Sequence, residues 1–168
     1  MTSIPAIATK SARRATQKAI IQREAILLEK LCTEGIDFVP RIISRSEDGF
    51  SYEWIVGEHF HQLFAIAPED VRQTYISQLL SYCFRLDRLG VVHGELDDPR
   101  TNLLIDAEKK IWILDFERGA LQDFSGKNLR HIAQWLYREG YITLGVLKSL
   151  KDRSTDDIYT LLVATVRR

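Results

Sequence analysis

The sequence has little cysteine, no net charge and no long apolar run. Cys32 and Cys83 are the two cysteines, and they have no CxxC spacing, so we expect reduced thiols of an intracellular protein. The 23 basic and 23 acidic residues cancel, which excludes a global field that attracts nucleic acid or an acidic membrane. No segment approaches the ~20 apolar residues of a membrane span, and no secretory signal is recognisable at the N-terminus. These absences predict a cytoplasmic protein without a membrane partner.

The chain has enough apolar residues to build a core. It has 168 residues, of which 45% are hydrophobic, so we expect one domain, or two small lobes that share a core. Helical spacing of apolar residues predicts helices over about 13–32, 68–89, 127–136, 143–150 and 155–166. Residues 4–9, 41–45 and 50–56 are typical of strands, and the last two flank an Asp-Gly turn that favours a hairpin. The predicted class is α+β.

The stretch 93–117, HGELDDPRTNLLIDAEKKIWILDFE, carries most of the chemistry in the sequence. Two short apolar runs, 103–105 and 111–114, are joined by a polar turn and predict a β-hairpin. The start of one hairpin strand lies beside the end of the other, so Asn102 and Asp115 should come together. An amide oxygen and a carboxylate in this arrangement suit Mg²⁺ or Mn²⁺ that carries phosphates.

The order of these parts resembles the catalytic loop and metal-binding segment of the protein-kinase fold. The His-Gly dipeptide is similar to that of the RIO-type and KEOPS-associated atypical serine/threonine kinases, and the Asp-Phe-Glu sequence to a group of small archaeal kinases. The resemblance implies a two-lobe fold, with a reduced N-terminal β lobe over 1–57 and a helical C-terminal lobe over 58–168. It also implies ATP as a ligand, Mg²⁺ or Mn²⁺ as a cofactor, and a protein or the chain itself as the phosphate acceptor.

The same resemblance implies roles for residues of the N-terminal part. The segment Ala6-Ile7-Ala8-Thr9-Lys10 resembles the kinase strand whose lysine holds phosphates, and Glu24 matches the glutamate that pairs with that lysine. Residues 53–57 resemble a hinge, where backbone groups of Glu53 and Ile55 would bind adenine. Trp54 in this segment is interpreted most simply as a packing residue. From spacing alone, Lys10 and Glu24 would be solvated residues at a strand end and on a helix.

The catalytic acid-base residue has two main candidates. Glu95 follows His-Gly as in the resembled pattern, but it precedes Asn102 by seven residues, whereas Asp97 has the usual spacing of five. We prefer Glu95, with Asp97 as its competitor and Asp98 behind it. His93 is expected to be a buried packing and hydrogen-bonding residue.

The sequence departs from the family pattern at two places. Nine residues precede Lys10, too few for the Gly-rich loop that the resembled family uses to supply N–H groups to phosphates, so we expect either a truncated sequence or a natural reduced form with weakened nucleotide binding. Glu117 stands where glycine is usual, and we expect either a third metal-site carboxylate or an ion-pair partner of Arg118 or Arg100.

Three other functions stay open. These departures favour a pseudokinase, which is a nucleotide-binding or structural module without turnover. A small-molecule kinase shares the motif, although little chain follows residue 136 to bind an acceptor. The basic first helix has no interleaved aromatic residues, so nucleic acid is expected only through a partner complex.

Overall fold

The computed structural model describes residues 6–122 and 126–166, which form a mixed α+β structure as the sequence predicts. The helices are α1 (Ala15–Thr33), α2 (Phe60–Ile66), α3 (Glu69–Arg88), α4 (Lys127–Arg138), α5 (Leu144–Ser149) and α6 (Thr155–Val166). The strands are β1 (Ile7–Ser11), β2 (Ile42–Arg45), β3 (Gly49–Glu53), β4 (Glu58–His59), β5 (Val91–Val92), β6 (Leu103–Ile105), β7 (Ile111–Ile113) and β8 (Ala120–Leu121).

The first sheet is antiparallel, with strand order β1-β3-β2, and α1 packs against it. The predicted hairpin of β2 and β3 is confirmed, but β3 ends at Glu53, so residues 54–56 are not part of the strand. The strand predicted over 4–9 begins at Ile7, and residues 4 and 5 lie outside the described ranges. A Cβ atom on Gly49 would lie 2.2 Å from the carbonyl oxygen of Lys10, so glycine is needed where β3 starts beside β1.

The second sheet has the order β4-β6-β7 and contains the hairpin predicted from the apolar runs. Leu103 pairs with Ile113, and Ile105 pairs with Ile111. The turn is closed by Asp106, whose carboxylate accepts hydrogen bonds from the backbone of Lys110 (3.0 Å) and from the indole of Trp112 (2.8 Å). This turn fixes the strand register and therefore the positions of the residues that flank the hairpin.

The helices α3, α4 and α6 contribute buried residues to the same core as α1 and the strands. The helix α3 buries an apolar stripe and contacts α4 and α6. Thr143 caps α5 by accepting a hydrogen bond from the backbone of Val146 at 3.3 Å. The predicted helices are all present in the described ranges, and both cysteines are free thiols. Among the described helices, none combines the length and apolar character that crossing a membrane requires.

The sequence analysis missed α2, and its burial explains why it forms. Phe60 and Phe64 are buried in an aromatic cluster with Trp135 of α4, at ring-centroid distances of 5.6 and 5.1 Å. The helix has only seven residues and no side-chain cap, so its stability comes from this long-range contact rather than from local sequence signals.

Candidate functional site

A lysine on β1 lies among three carboxylates from α1 and the segment after β7. The Nζ atom of Lys10 is 2.8 Å from Glu24, 3.0 Å from Asp115 and 2.6 Å from Glu117. Burial alone would lower the pKa of Lys10, but the hydrogen bonds to Glu117 and Glu24 outweigh it and raise the pKa above its usual value. The ammonium group therefore stays charged at neutral pH.

Glu24 is the buried member of this cluster. It lies on the inner face of α1 and is 3% exposed. Its Oε1 atom accepts a hydrogen bond from the backbone N–H of Phe116 at 3.1 Å, and its Oε2 atom makes the ion pair with Lys10. Burial raises the pKa of the Glu24 carboxyl, and the ammonium group of Lys10 opposes that rise. Glu24 thus ties α1 both to β1 and to the segment after β7.

Asn102 and Asp115 come together at the open end of the β6–β7 hairpin, as predicted. The backbone N–H of Leu114 donates to the carbonyl oxygen of Asn102 at 2.8 Å, which continues the ladder beyond the paired strands. Asp115 has a φ of 62°, a left-handed conformation that is rare for residues other than glycine. Its carboxylate is half-exposed and lines the same cavity of about 460 Å³ as Asn102, Lys10 and Glu95.

These donors fit a hard divalent cation. The side chains of Asn102 and Asp115 offer an amide oxygen and a carboxylate to one cavity, and such oxygens are the ligands that Mg²⁺ and Mn²⁺ prefer. Glu24, Asp115 and Glu117 also place carboxylate oxygens within 4.8 Å of one another. Lys10 contacts all three of these carboxylates, so the cluster is an ion-pair network as it stands.

A second cavity of about 430 Å³ adjoins the first and shares Tyr52, Thr101 and Leu114 with it. Its other walls are mainly apolar and come from residues 54–57, His59 and Leu104. Ile55 lines this cavity, whereas Glu53 lines neither cavity and ends β3 beside it. Trp54 is 55% exposed and lines the cavity, so the interpretation of Trp54 as a packing residue was wrong.

His93 is fully buried, as expected, and organises the loop that follows β5. Its Nε2 atom is 2.7 Å from the carbonyl oxygen of Leu114, and its Nδ1 atom accepts a hydrogen bond from the backbone N–H of Glu95 at 3.3 Å. These two contacts assign the proton to Nε2. Burial lowers the pKa of His93 to about 4, so the imidazole is neutral at pH 7. A buried neutral ring with both nitrogens bonded has a structural role.

The two acid-base candidates lie in different cavities. Glu95 lines the 460 Å³ cavity with Lys10 and Asp115, and its Oε1 atom is 3.1 Å from Nε of Arg118. Asp97 and Asp98 line a separate cavity, beside α4. The backbone carbonyl of Asp97 accepts a hydrogen bond from Arg138. The structure therefore brings Glu95, but not Asp97, to the cluster around Lys10.

Glu117 makes a contact that sequence reasoning missed. The expected ion pairs of Glu117 with Arg118 or Arg100 were wrong, because Arg118 pairs with Glu95 and Arg100 pairs with Asp98 at 2.5 Å. Glu117 pairs with Lys10 instead. The two residues are far apart in sequence, and no periodic pattern connects them, so only the tertiary arrangement of β1 and the segment after β7 reveals the contact.

Comparisons with known proteins do not assign a family to the chain. No protein-family model matches it, and a search of curated proteins finds none with significant similarity.

Proposed function

We propose that the chain is an ATP-dependent phosphotransferase of the atypical serine/threonine protein-kinase type, with Mg²⁺ or Mn²⁺ as cofactor. In this proposal residues 1–57 and 58–168 correspond to the two lobes of a kinase-like fold. The phosphate acceptor is a protein or the chain itself.

One observation carries the proposal. Lys10 and Glu24 are far in sequence from Glu95, Asn102 and Asp115, yet all five line one cavity, and phosphoryl transfer uses these residue types. In the proposed reaction they would serve as a lysine held by a glutamate, two oxygen donors for a metal ion and an acid-base residue. The adjoining apolar cavity has the size and character that suit a nucleobase.

Each residue has a definite task in this proposal. Lys10 binds phosphate oxygens, and Glu24 orients Lys10 by the ion pair at 2.8 Å. Asn102 and Asp115 hold the metal ion, which neutralises phosphate charge when it is bound. The carboxylate of Glu95 accepts the proton of the attacking hydroxyl group.

The test measures transfer of labelled γ-phosphate from ATP, with Mg²⁺ or Mn²⁺, to the chain itself and to a general protein acceptor. Asp115→Asn should reduce transfer by about a hundredfold or more, because a neutral amide holds the metal poorly. Asp152→Asn is the matched control, since Asp152 is exposed in the turn before α6. Equal transfer by the wild type and Asp115→Asn, with both proteins folded, would contradict the proposal.

A pseudokinase is the second candidate, and a specific observation favours it. Glu117 forms an ion pair with Lys10, and Arg118 forms an ion pair with Glu95. The charges of both functional groups are therefore compensated within the chain. A pseudokinase would bind nucleotide without transferring phosphate. Calorimetric titration with ATP beside the transfer assay separates the two candidates.

A further inference from the structure

The ammonium group of Lys10 is surrounded by carboxylates and donates a hydrogen bond to Asp115 at 3.0 Å. An ammonium group has three N–H donors, and three carboxylate oxygens lie within 2.6 to 3.0 Å of Nζ. One positive charge thus faces three negative charges, and the cluster carries a formal excess of two negative charges. A polyphosphate that approaches Lys10 therefore competes with these carboxylates and meets their negative charge.

The three carboxylates differ in how they can be released. Glu24 is buried and is fixed by the backbone N–H of Phe116, so it stays in place. Asp115 is released when it turns to a metal ion, which would free one N–H of Lys10. Within residues 6–122 and 126–166, the Glu117 carboxylate has its ion pair with Lys10, which is the shortest of the three contacts at 2.6 Å.

The backbone at Glu117 is anchored in place, and its side chain reaches Lys10. The carbonyl oxygen of Glu117 accepts a hydrogen bond from Arg23 at 3.2 Å, and the backbone N–H of Gly119 donates to Phe116 at 2.8 Å. On the next residue, the Arg118 side chain is anchored to Glu95. The Glu117 carboxylate also borders a separate cavity of about 280 Å³, lined by Arg13 and Gln17, which gives it space to withdraw.

From this geometry we infer that Glu117 is a specificity-determining residue that makes the site select metal-bound over metal-free nucleotide. The inference rests on the proposed function. With a metal ion bound, Asp115 would coordinate it and give up the hydrogen bond from Lys10, whereas a metal-free nucleotide would have to displace Glu117. The metal-free nucleotide also brings more negative charge to a cluster that is already negative.

The test is calorimetric titration with the β,γ-imido analogue of ATP, once in excess Mg²⁺ and once in EDTA, and with inorganic tripolyphosphate in EDTA. Glu117→Gln should bind both metal-free ligands about tenfold more tightly than the wild type, and its affinity for the Mg²⁺ complex should change by less than about threefold. Glu117→Ala should show the same pattern, because it frees the donor completely. Glu108→Gln, in the exposed β6–β7 turn, removes the same charge elsewhere and should change neither affinity.

Two outcomes separate the inference from the proposed function. If the wild type binds the Mg²⁺ complex but neither Glu117 variant gains affinity for metal-free ligands, the inference fails and the proposed function stands. If neither the wild type nor the variants bind the analogue with or without Mg²⁺, the inference and the proposed function both fail. A gain that disappears when Lys10→Met is combined with Glu117→Gln supports the inference, because the competition is for Lys10.

Discussion

The side-chain oxygen of Asn128 accepts a hydrogen bond from the backbone N–H of His93 at 2.9 Å, and both residues are fully buried. The amide nitrogen of Asn128 donates to Asp87 at 2.9 Å and to the carbonyl oxygen of Val91 at 2.7 Å. Asp87 in turn accepts hydrogen bonds from the backbone N–H groups of Asn128 and Leu129, at the start of α4. This network joins α3 and α4 to the loop that carries Glu95.

Asn128→Leu should lower the free energy of unfolding by about 3 kcal/mol, because it removes the side-chain hydrogen bonds to the backbone of His93 and Val91 and one of the three hydrogen bonds to Asp87. Denaturant unfolding monitored by tryptophan fluorescence measures the change. Gln134→Leu, on the exposed face of α4, is the control and should change the stability by less than about 0.5 kcal/mol. A loss below about 1 kcal/mol for Asn128→Leu would mean that the network contributes little to the fold.

Because His93 is buried, we expect the free energy of unfolding to depend on pH in the mildly acidic range. An unfolded histidine binds a proton near pH 6.5, whereas burial lowers the pKa of His93 to about 4 in the folded protein. Between these values the unfolded state holds more protons, so the free energy of unfolding falls as the pH falls. The full shift corresponds to about 3 kcal/mol between pH 7 and pH 4.

Denaturant unfolding at a series of pH values tests this prediction. The slope between pH 6.5 and pH 4 should be clearly smaller in His93→Gln than in the wild type. His131→Gln is the comparison variant, because burial also lowers the pKa of half-buried His131, against the opposing charge of Asp97. If His93→Gln keeps the full slope, other groups cause the acid sensitivity.

Those parts of the site that depend on local sequence patterns could be predicted. The β6–β7 hairpin follows from two apolar runs and a turn, and it alone brings Asn102 and Asp115 together. The ion pair of Lys10 with Glu24 was implied by the motif resemblance and is observed. From spacing alone, both residues would have been assigned to the solvated surface.

The contacts of Glu117 and Arg118 could not be predicted, because they depend on how the chain turns after β7. Asp115 adopts a left-handed backbone conformation, for which the sequence has no glycine or asparagine signal. The helix α2 and the pairing of β5 with β8 were also missed. Both elements are very short and are stabilised by partners distant in sequence, so local patterns contain little information about them.

The position of Glu95 beside Lys10 and Asp115 predicts which carboxylate serves as the acid-base residue of the proposed reaction. Glu95→Gln should lower kcat for phosphate transfer by about a hundredfold or more with little change in KM, because the amide cannot accept the proton of the hydroxyl group. Asp97→Asn should change kcat by less than about threefold, since Asp97 lies in a different cavity. The two substitutions are matched, because each replaces a carboxylate with its amide.

Steady-state transfer assays on both variants decide between the residues. Loss of kcat in Asp97→Asn with normal turnover in Glu95→Gln would reverse the assignment and would require the loop at residues 95–102 to rearrange when nucleotide binds. Loss in both variants would indicate that the loop acts as a unit, in which Asp97 positions Glu95. The pH dependence of kcat then separates the two roles. Replacing the residue that accepts the proton with its amide should abolish the fall in kcat at acidic pH, whereas replacing the other residue should not.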